Sequence, residues 1–265
     1  MPEGDTLHNL ARRLRGEILG EPLLSAWSRA QGPLPQVAGK RIERIYALGK
    51  NLILDLEAGY SFHVHLGIAG RCERLGTRRP GSSVTLMIET ATTRLGFRKA
   101  PQARLHRTAH LLAEPGLRHL GPDLLGAEVD FDRILHRLDK PARATLPLGV
   151  VLLDQRVAAG IGNVYKSELL FLERLDPFVP LRAVGAERLL AVYRLARELM
   201  QQNLTDEMRT TVPASVVTRD PTRRHWVYGC THAPCLRCGS TILSQRQGHE
   251  ARMTYHCGGC QREGR

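Results

Sequence analysis

The residues with chemistry to offer begin at the second position, in Pro2-Glu3-Gly4-Asp5-Thr6. A methionine before a small residue is normally trimmed, and trimming is expected here, leaving Pro2 as the terminus. A terminal amine titrates near ~7.7–8.0, against ~10.4 for lysine, so a sizeable fraction is unprotonated and nucleophilic at neutral pH. As a secondary amine it can attack a sugar aldehyde only to give a cationic iminium. Such a cation is an electron sink of the kind lysine amines make from carbonyl substrates. Glu3, next door, can carry protons in the same reaction. The competing reading is a frayed terminus of no consequence, since many chains begin Met-Pro.

Metal chemistry is written into the last forty residues. Six cysteines occur, five of them between Cys230 and Cys260. A disulfide framework would spread them along an exported chain, whereas clustering points to metal. Cys235-Leu-Arg-Cys238 and Cys257-Gly-Gly-Cys260 are two C-x2-C knuckles with eighteen residues between them. Four thiolates at that spacing predict one structural Zn2+ per chain, with no open position for a catalytic water. Cys230, His232 and His256 fall outside the pattern. Between the knuckles, Thr241–Leu243 and Met253–Tyr255 read as a hairpin too short to fold alone. Arg246, His249 and Arg252 fall at or near its tip, where DNA could be touched.

Three further stretches carry weaker signals. In the run from Leu153 to Glu168, Gly160 and Gly162 permit a tight turn and Asn163 opens a helix, whose amides suit a phosphate; an ordinary helical hairpin is the alternative. Gly49-Lys50-Asn51 places a lysine at the start of a strand, which by itself reads as a solvated side chain. His63-Val-His65-Leu-Gly-Ile-Ala-Gly70 sets two histidines on one strand face, more simply a polar surface than a metal site.

These residues need elements to hold them. Leu7, Leu10, Ala11, Leu14 and Ile18 recur at helical spacing, with Asp5 or Thr6 as the expected N-cap. The positive end of that helix disfavours a protonated amine beside it. Alternation then predicts strands over Arg41–Leu48, Asn51–Glu57, Ser61–Leu66, Val84–Thr90 and Thr92–Arg98, a β-sandwich or barrel. Leu52, Leu54, Leu56, Phe62, Val64 and Leu66 point inward, and His63 and His65 outward. Arg71–Ser83 reads as a basic loop. Helical patterns follow over Phe131–Leu138 (capped by Asp130), Leu146–Gln155, Gly162–Leu175 and Ala186–Asn203, with Met208–Arg224 as a loop. The fold class is α+β in three parts: an N-terminal β-sandwich domain over 1–114, a helical domain over 115–228 and a zinc finger over 229–265.

Lys plus Arg number 38 against 26 Asp plus Glu, a formal charge of +12 with a pI near 10.0. A field of that sign suits a polyanion, nucleic acid first. No apolar run approaches the ~20 residues needed to cross a bilayer, and no secretion signal is legible. A cytoplasmic, nucleoid-associated protein without membrane contact is expected.

Taken together, the Pro-Glu-Gly start, the Gly-Lys strand, the His-Leu-Gly-x-x-Gly turn, the Asp-Gln-x-x-x-x-Gly-x-Gly-Asn-x-Tyr signature and the Val-Tyr-Gly lead into four cysteines resemble one family along nearly the whole chain. It is the formamidopyrimidine-DNA glycosylase / endonuclease VIII family, and the opening is most similar to its actinobacterial endonuclease VIII branch. The resemblance implies a β-sandwich flanked by the first helix and a helix–two-turn–helix domain with a zinc-finger hairpin. It implies a bifunctional DNA glycosylase and AP lyase of base-excision repair. Pro2 would be the Schiff-base nucleophile and Glu3 the proton donor. Lys50 would hold a phosphate and assist β-elimination, and Arg252 would grip phosphate and assist δ-elimination. Asn163 would bind phosphate at the lesion, and Ile68 would fill the gap left by the extruded base. Damaged DNA, double- or single-stranded, would be the partner of a monomer that needs no small-molecule cofactor. Two departures matter. Thr6 stands where the family commonly has glutamate. The Asp-x-Arg-Arg-Phe-Gly loop of the formamidopyrimidine branch is missing, Thr93–Arg98 being the nearest stretch, which favours oxidised pyrimidines over 8-oxoguanine. The rival reading is a non-catalytic protein that binds damaged or abasic DNA without cutting it.

Overall fold

A computed structural model describes residues 2–76 and 81–262. Met1 and residues 77–80 of the expected basic loop lie outside the described residues. The chain divides into two compact units, Met1–His119 and Leu120–Arg265.

The first unit opens with α1 (Gly4–Ile18), which buries Leu7, Leu14 and Ile18 completely. Its strands are β1 (Ser25–Ser28), β2 (Gly32–Pro33), β3 (Ile42–Leu48), β4 (Asn51–Leu56), β5 (Tyr60–His65), β6 (Arg71–Arg74), β7 (Val84–Glu89), β8 (Arg94–Arg98) and β9 (Gln102–Arg107). They form two antiparallel sheets, ordered β2-β1-β7-β8-β6 and β3-β4-β5-β9. Ala26, Leu86, Ile88, Leu95 and Phe97 from one sheet meet Leu52, Leu54, Phe62, Val64 and Leu105 from the other in a core shared with α1. Ser28 ties the sheets together by donating to the Ala103 carbonyl at 2.8 Å. Two short helices, α2 (Thr108–Leu111) and α3 (Pro115–Arg118), end the unit.

Several expectations need correction here. Glu3, not Asp5 or Thr6, is the N-cap of α1. Arg71–Arg74 is a strand paired with β8 rather than loop. The outward face of β4 and β5 is not wet: Asn51, Ile53, Asp55, Ser61 and His63 are all buried. The α2 helix lies against β5 and β9, and hydrogen bonds pair the covered polar groups, Ser61 donating to Asp55 at 2.6 Å. Period-2 alternation reports which face is apolar, and it carries no information about what later covers the other.

The second unit is helical: α4 (Phe131–Leu138), α5 (Pro141–Ala144), α6 (Leu148–Val151), α7 (Asn163–Leu172), α8 (Ala186–Gln202) and α9 (Ala214–Arg219). Asp130 caps α4, accepting from the Arg133 amide at 2.7 Å. The helix expected over Leu146–Gln155 stops at Val151, because side chains capture the backbone beyond it. Asp154 accepts from the Arg156 amide at 3.0 Å, and Gln155 spans the turn by donating to Leu153 and Ile161 and accepting from Gly160. The six-residue α9 interrupts the expected loop, starting after Pro213, which presets its first turn. The unit closes with the hairpin β10 (Ile242–Gln247) and β11 (Arg252–Cys257), joined through Gln247↔Arg252 at the tip.

One carboxylate lashes α7 to the lead into the cysteine hairpin. Glu168, fully buried, accepts from the amides of Trp226, Val227 and Tyr228 at 2.8, 2.9 and 2.8 Å and from the Thr211 hydroxyl. Glu168→Leu strands those donors, and a loss of about 1–3 kcal/mol per group left unsatisfied is expected to appear in urea unfolding as a lower midpoint at unchanged slope.

Candidate functional site

In the first unit the chain start is a structured element. Glu3 is fully buried and Pro2 half-buried. The Glu3 amide donates to Thr6 Oγ1 at 3.1 Å, the backbone half of a capping box. Asp5 braces Thr6 in turn, accepting from its amide at 2.7 Å. Thr6, in the place of a common glutamate, thus holds the peptide that carries Glu3. The carboxylate stands at a helix N-terminus, where orphan amides and the helix dipole favour negative charge.

Lys50 occupies the turn between β3 and β4, with Gly49 before it at φ +57°. Its charge is felt by His65, whose pKa is lowered by burial first and by Lys50 second. His65 Nδ1 accepts from the Gly67 amide at 3.2 Å, at the foot of the turn carrying Ile68. Gly70 closes that turn onto the Leu66 carbonyl at 3.0 Å, and any Cβ at position 70 would fall 2.0 Å from that oxygen. The turn leaves Ile68 62% exposed, a large aliphatic side chain held out in solvent. Register places Lys50 and this turn at one end of the sheet, since Asn51 pairs with both Leu48 and His65. The strand expected over Thr92–Arg98 is β8 (Arg94–Arg98), its Arg98 bonded to Glu73 and to Ser83 Oγ.

The second unit brings Asn163 and Arg252 together through one peptide. Asn163 opens α7 and donates from Nδ2 to the Met253 carbonyl at 2.7 Å. Its Oδ1 is buried and unpartnered. Arg252 precedes Met253 and is paired at 2.9 Å with the exposed Glu250. Lys166, a helical turn after Asn163 and fully buried, donates to Thr254 Oγ1 at 2.7 Å and reaches Met253 O at 3.3 Å. A cavity of about 330 Å³ beside them is lined by Arg143, Asp154, Arg156, Lys166, His249 and Arg252. Asp154 resists the upward push of burial because Arg156 and Arg143 bond it, which holds its pKa low. Sequence reasoning missed Lys166 and Glu250. The spacing of Lys166 from Asn163, i to i+3, is the signal that would have found the lysine.

The sulfurs of Cys235, Cys238, Cys257 and Cys260 all lie within 4.8 Å of one another, and among the described residues no other histidine, cysteine or carboxylate joins them. Cys235–Cys260 are 3.9 Å apart and Cys238–Cys257 3.5 Å. Zn–S bonds of about 2.3 Å give tetrahedral sulfur–sulfur edges of about 3.8 Å, so the cluster fits such an ion. Hydrogen bonding to Ser240 brings the Cys238 thiol down to about 6. Ile242 and Cys257 pack with Phe171 and Val227, and Trp226 stacks on Phe171 at 5.5 Å beneath the Arg237 guanidinium. Cys230 stays apart, its thiol pKa raised by burial.

A sandwich unit followed by a helical unit ending in a four-cysteine hairpin defines a class, and comparison with known proteins names it. The profile of the formamidopyrimidine-DNA glycosylase N-terminal domain matches residues 1–110, and that of the formamidopyrimidine-DNA glycosylase H2TH domain matches residues 120–214. A probable endonuclease 8 2 of Streptomyces coelicolor is 36% identical over 98% of this chain and 94% of its own. The DNA-(apurinic or apyrimidinic site) lyase Nei2 of Mycolicibacterium smegmatis is 34% identical over 98% of this chain and 99% of its own. The crystal structure of the MutM (Fpg) protein from Thermus thermophilus superposes with a TM-score of 0.81 at 29% identity, covering 98% of each chain. The chain belongs to the formamidopyrimidine-DNA glycosylase family.

Removing one thiolate tests the cluster. Cys238→Ser is expected to lose bound zinc, measured by a chromogenic chelator on the unfolded protein, and to expose the hairpin to protease; full zinc occupancy would remove Cys238 from the site.

Proposed function

We propose that this protein is a bifunctional DNA glycosylase and AP lyase of base-excision repair that removes oxidised bases, pyrimidines above all, through a Schiff base on the Pro2 amine. The observation that carries this reading is the buried Glu3 capping α1 directly after half-buried Pro2, so that the first helical turn orders both residues.

The chemistry divides among the residues by type. The Pro2 lone pair forms a bond to the sugar C1′ as the glycosidic bond breaks, and Glu3 supplies the proton that lets the ring open and the base depart. The resulting iminium acidifies the C2′ hydrogen. Its loss sends an electron pair toward the 3′ carbon–oxygen bond, which breaks to release phosphate, with the Lys50 ammonium steadying the departing charge. A second elimination releases the 5′ phosphate, gripped by Arg252. Asn163 and the α7 amides hold the backbone phosphate at the lesion. Ile68, exposed on its glycine-closed turn, occupies the space of the extruded base. Glu250 does not block Arg252, because an exposed ion pair is worth only about 0–1 kcal/mol and a phosphate offers bidentate acceptors in its place.

The four cysteines hold one structural zinc, which braces the hairpin and takes no part in the reaction. The amine supplies the electron sink, so no small-molecule cofactor enters the scheme. Damaged DNA, duplex or single-stranded, is the partner, and the protein acts as a monomer, cytoplasmic and associated with the nucleoid. The net charge of +12 supports a polyanionic partner, and among the described residues no helix is long and apolar enough to cross a membrane.

Borohydride reduction on DNA carrying an abasic site tests the reading. The protein with Pro2 first is expected to form a covalent adduct. A residue left in front of Pro2 turns its nitrogen into an amide and is expected to abolish the adduct while abasic DNA remains bound. Undiminished adduct from the extended protein would falsify the Schiff-base assignment.

A further inference from the structure

His63 is only 4% exposed although its side of the sheet faces away from the sandwich core. Its Nε2 lies 2.9 Å from Asn51 Oδ1. Asn51 Nδ2 donates to the Leu48 carbonyl at 3.1 Å. That second bond sets which way the amide points, so His63 Nε2 must carry the hydrogen and donate it. Leu48 and Asn51 are the pair that closes the β3–β4 hairpin, leaving Gly49 and Lys50 as its two-residue turn. Positive φ at Gly49, with Lys50 absent from the positive-φ residues, is the pattern of a II′ turn. The Asn51 side chain therefore spans the base of the turn and is itself held by the neighbouring strand.

The far side of the imidazole is occupied as well. His106 lies 6.0 Å away, centroid to centroid, and its Nδ1 is 3.2 Å from Glu114 Oε1. The groups facing His63 are thus Asn51, His106 and His65, with Glu114 behind His106. Burial, then His106 and His65, brings the His63 pKa down to about 4. The ring is therefore neutral at neutral pH.

We propose that His63 is a positioning residue for Lys50, acting through Asn51 to hold the Gly49–Lys50 turn in the one geometry that presents the ammonium to the breaking strand. This rests on the role given to Lys50 above. A lysine on an unanchored two-residue turn keeps its charge and loses its place, and displacements of about 1 Å in a reacting group can cost about 100-fold in rate.

The test uses the full-length protein and DNA with a preformed abasic site under single-turnover conditions, reading two rates: adduct trapped by borohydride and strand cleaved. His63→Leu is expected to slow cleavage about tenfold while trapping stays within about twofold, the split of a residue that serves the step after imine formation. Lys50→Ala should show the same split, and the double variant should cleave no more slowly than Lys50→Ala, because His63 then has nothing to position. His63→Gln, whose amide can donate to Asn51, should restore most of the cleavage rate. Trapping and cleavage that fall together in His63→Leu, or losses that multiply in the double variant, overturn the proposal. Should His63→Leu fail to fold, Asn51→Leu must show the split, and its absence overturns the proposal equally. Normal cleavage by Lys50→Ala overturns the reading of Lys50 itself, and the proposal with it.

Discussion

The role proposed for Pro2 demands order at the very start of the chain. Ends of chains fray unless something ties them down, and an iminium mechanism needs its nitrogen at a defined distance from a sugar carbon. The first turn of α1 meets this constraint. Leu7, Leu14 and Ile18 are buried to the last square ångström of their side chains and anchor the helix to the sandwich core. The capping contact between Glu3 and Thr6 then extends that order to the residue next to Pro2. Order around Pro2 and Glu3 is thus a product of apolar burial five to sixteen residues downstream, transmitted by a rigid helix.

The second unit solves a related problem with polar groups. A two-stranded hairpin is marginal by itself, yet the role proposed for Arg252 on its edge demands a fixed place. Four sulfurs within 4.8 Å of one another hold its base. Toward its tip, Asn163 and Lys166 both meet the Met253 carbonyl, and Thr254 passes the contact on to Gln247, which donates to the Pro177 carbonyl. Buried polar groups are costly unless satisfied, so this chain of contacts admits few alternative arrangements. Asn163 on α7 and the Arg252–Met253 segment of β11 are thereby locked to each other.

Charge acts on another scale. An excess of twelve cations gives the long-range attraction that any polyanion would feel, and it says nothing of where the chemistry lies. Selectivity has to come from short-range contacts, which net charge does not supply.

Most of the architecture was legible in the residues. The α1 stripe, the alternation of β4 and β7, the Asp130 cap and the two knuckles are local patterns with a local cause: helix and strand periods, and the bite of a C-x2-C pair. What was not legible has a common origin in contacts between distant residues. His63 read as facing outward because alternation cannot register that α2 packs against its strand. The expected helix to Gln155 ended early because Asp154 and Gln155 turned back on the backbone. Lys166 gave no sign of burial, since a lysine in a helix is ordinarily wet.

The sequence by itself therefore determined the inventory of chemistry: a proline with a carboxylate beside it near the chain start, a lysine at the start of a strand, an aliphatic residue between two glycines, four thiolates. Each depends on residue type and short spacing alone. Tertiary structure alone decided which of those groups are held and by what, because Asn51 with His63, Asn163 with Met253 and Glu168 with Trp226 are twelve to ninety residues apart. Partners that far apart are set by how the chain packs, and no local pattern encodes them.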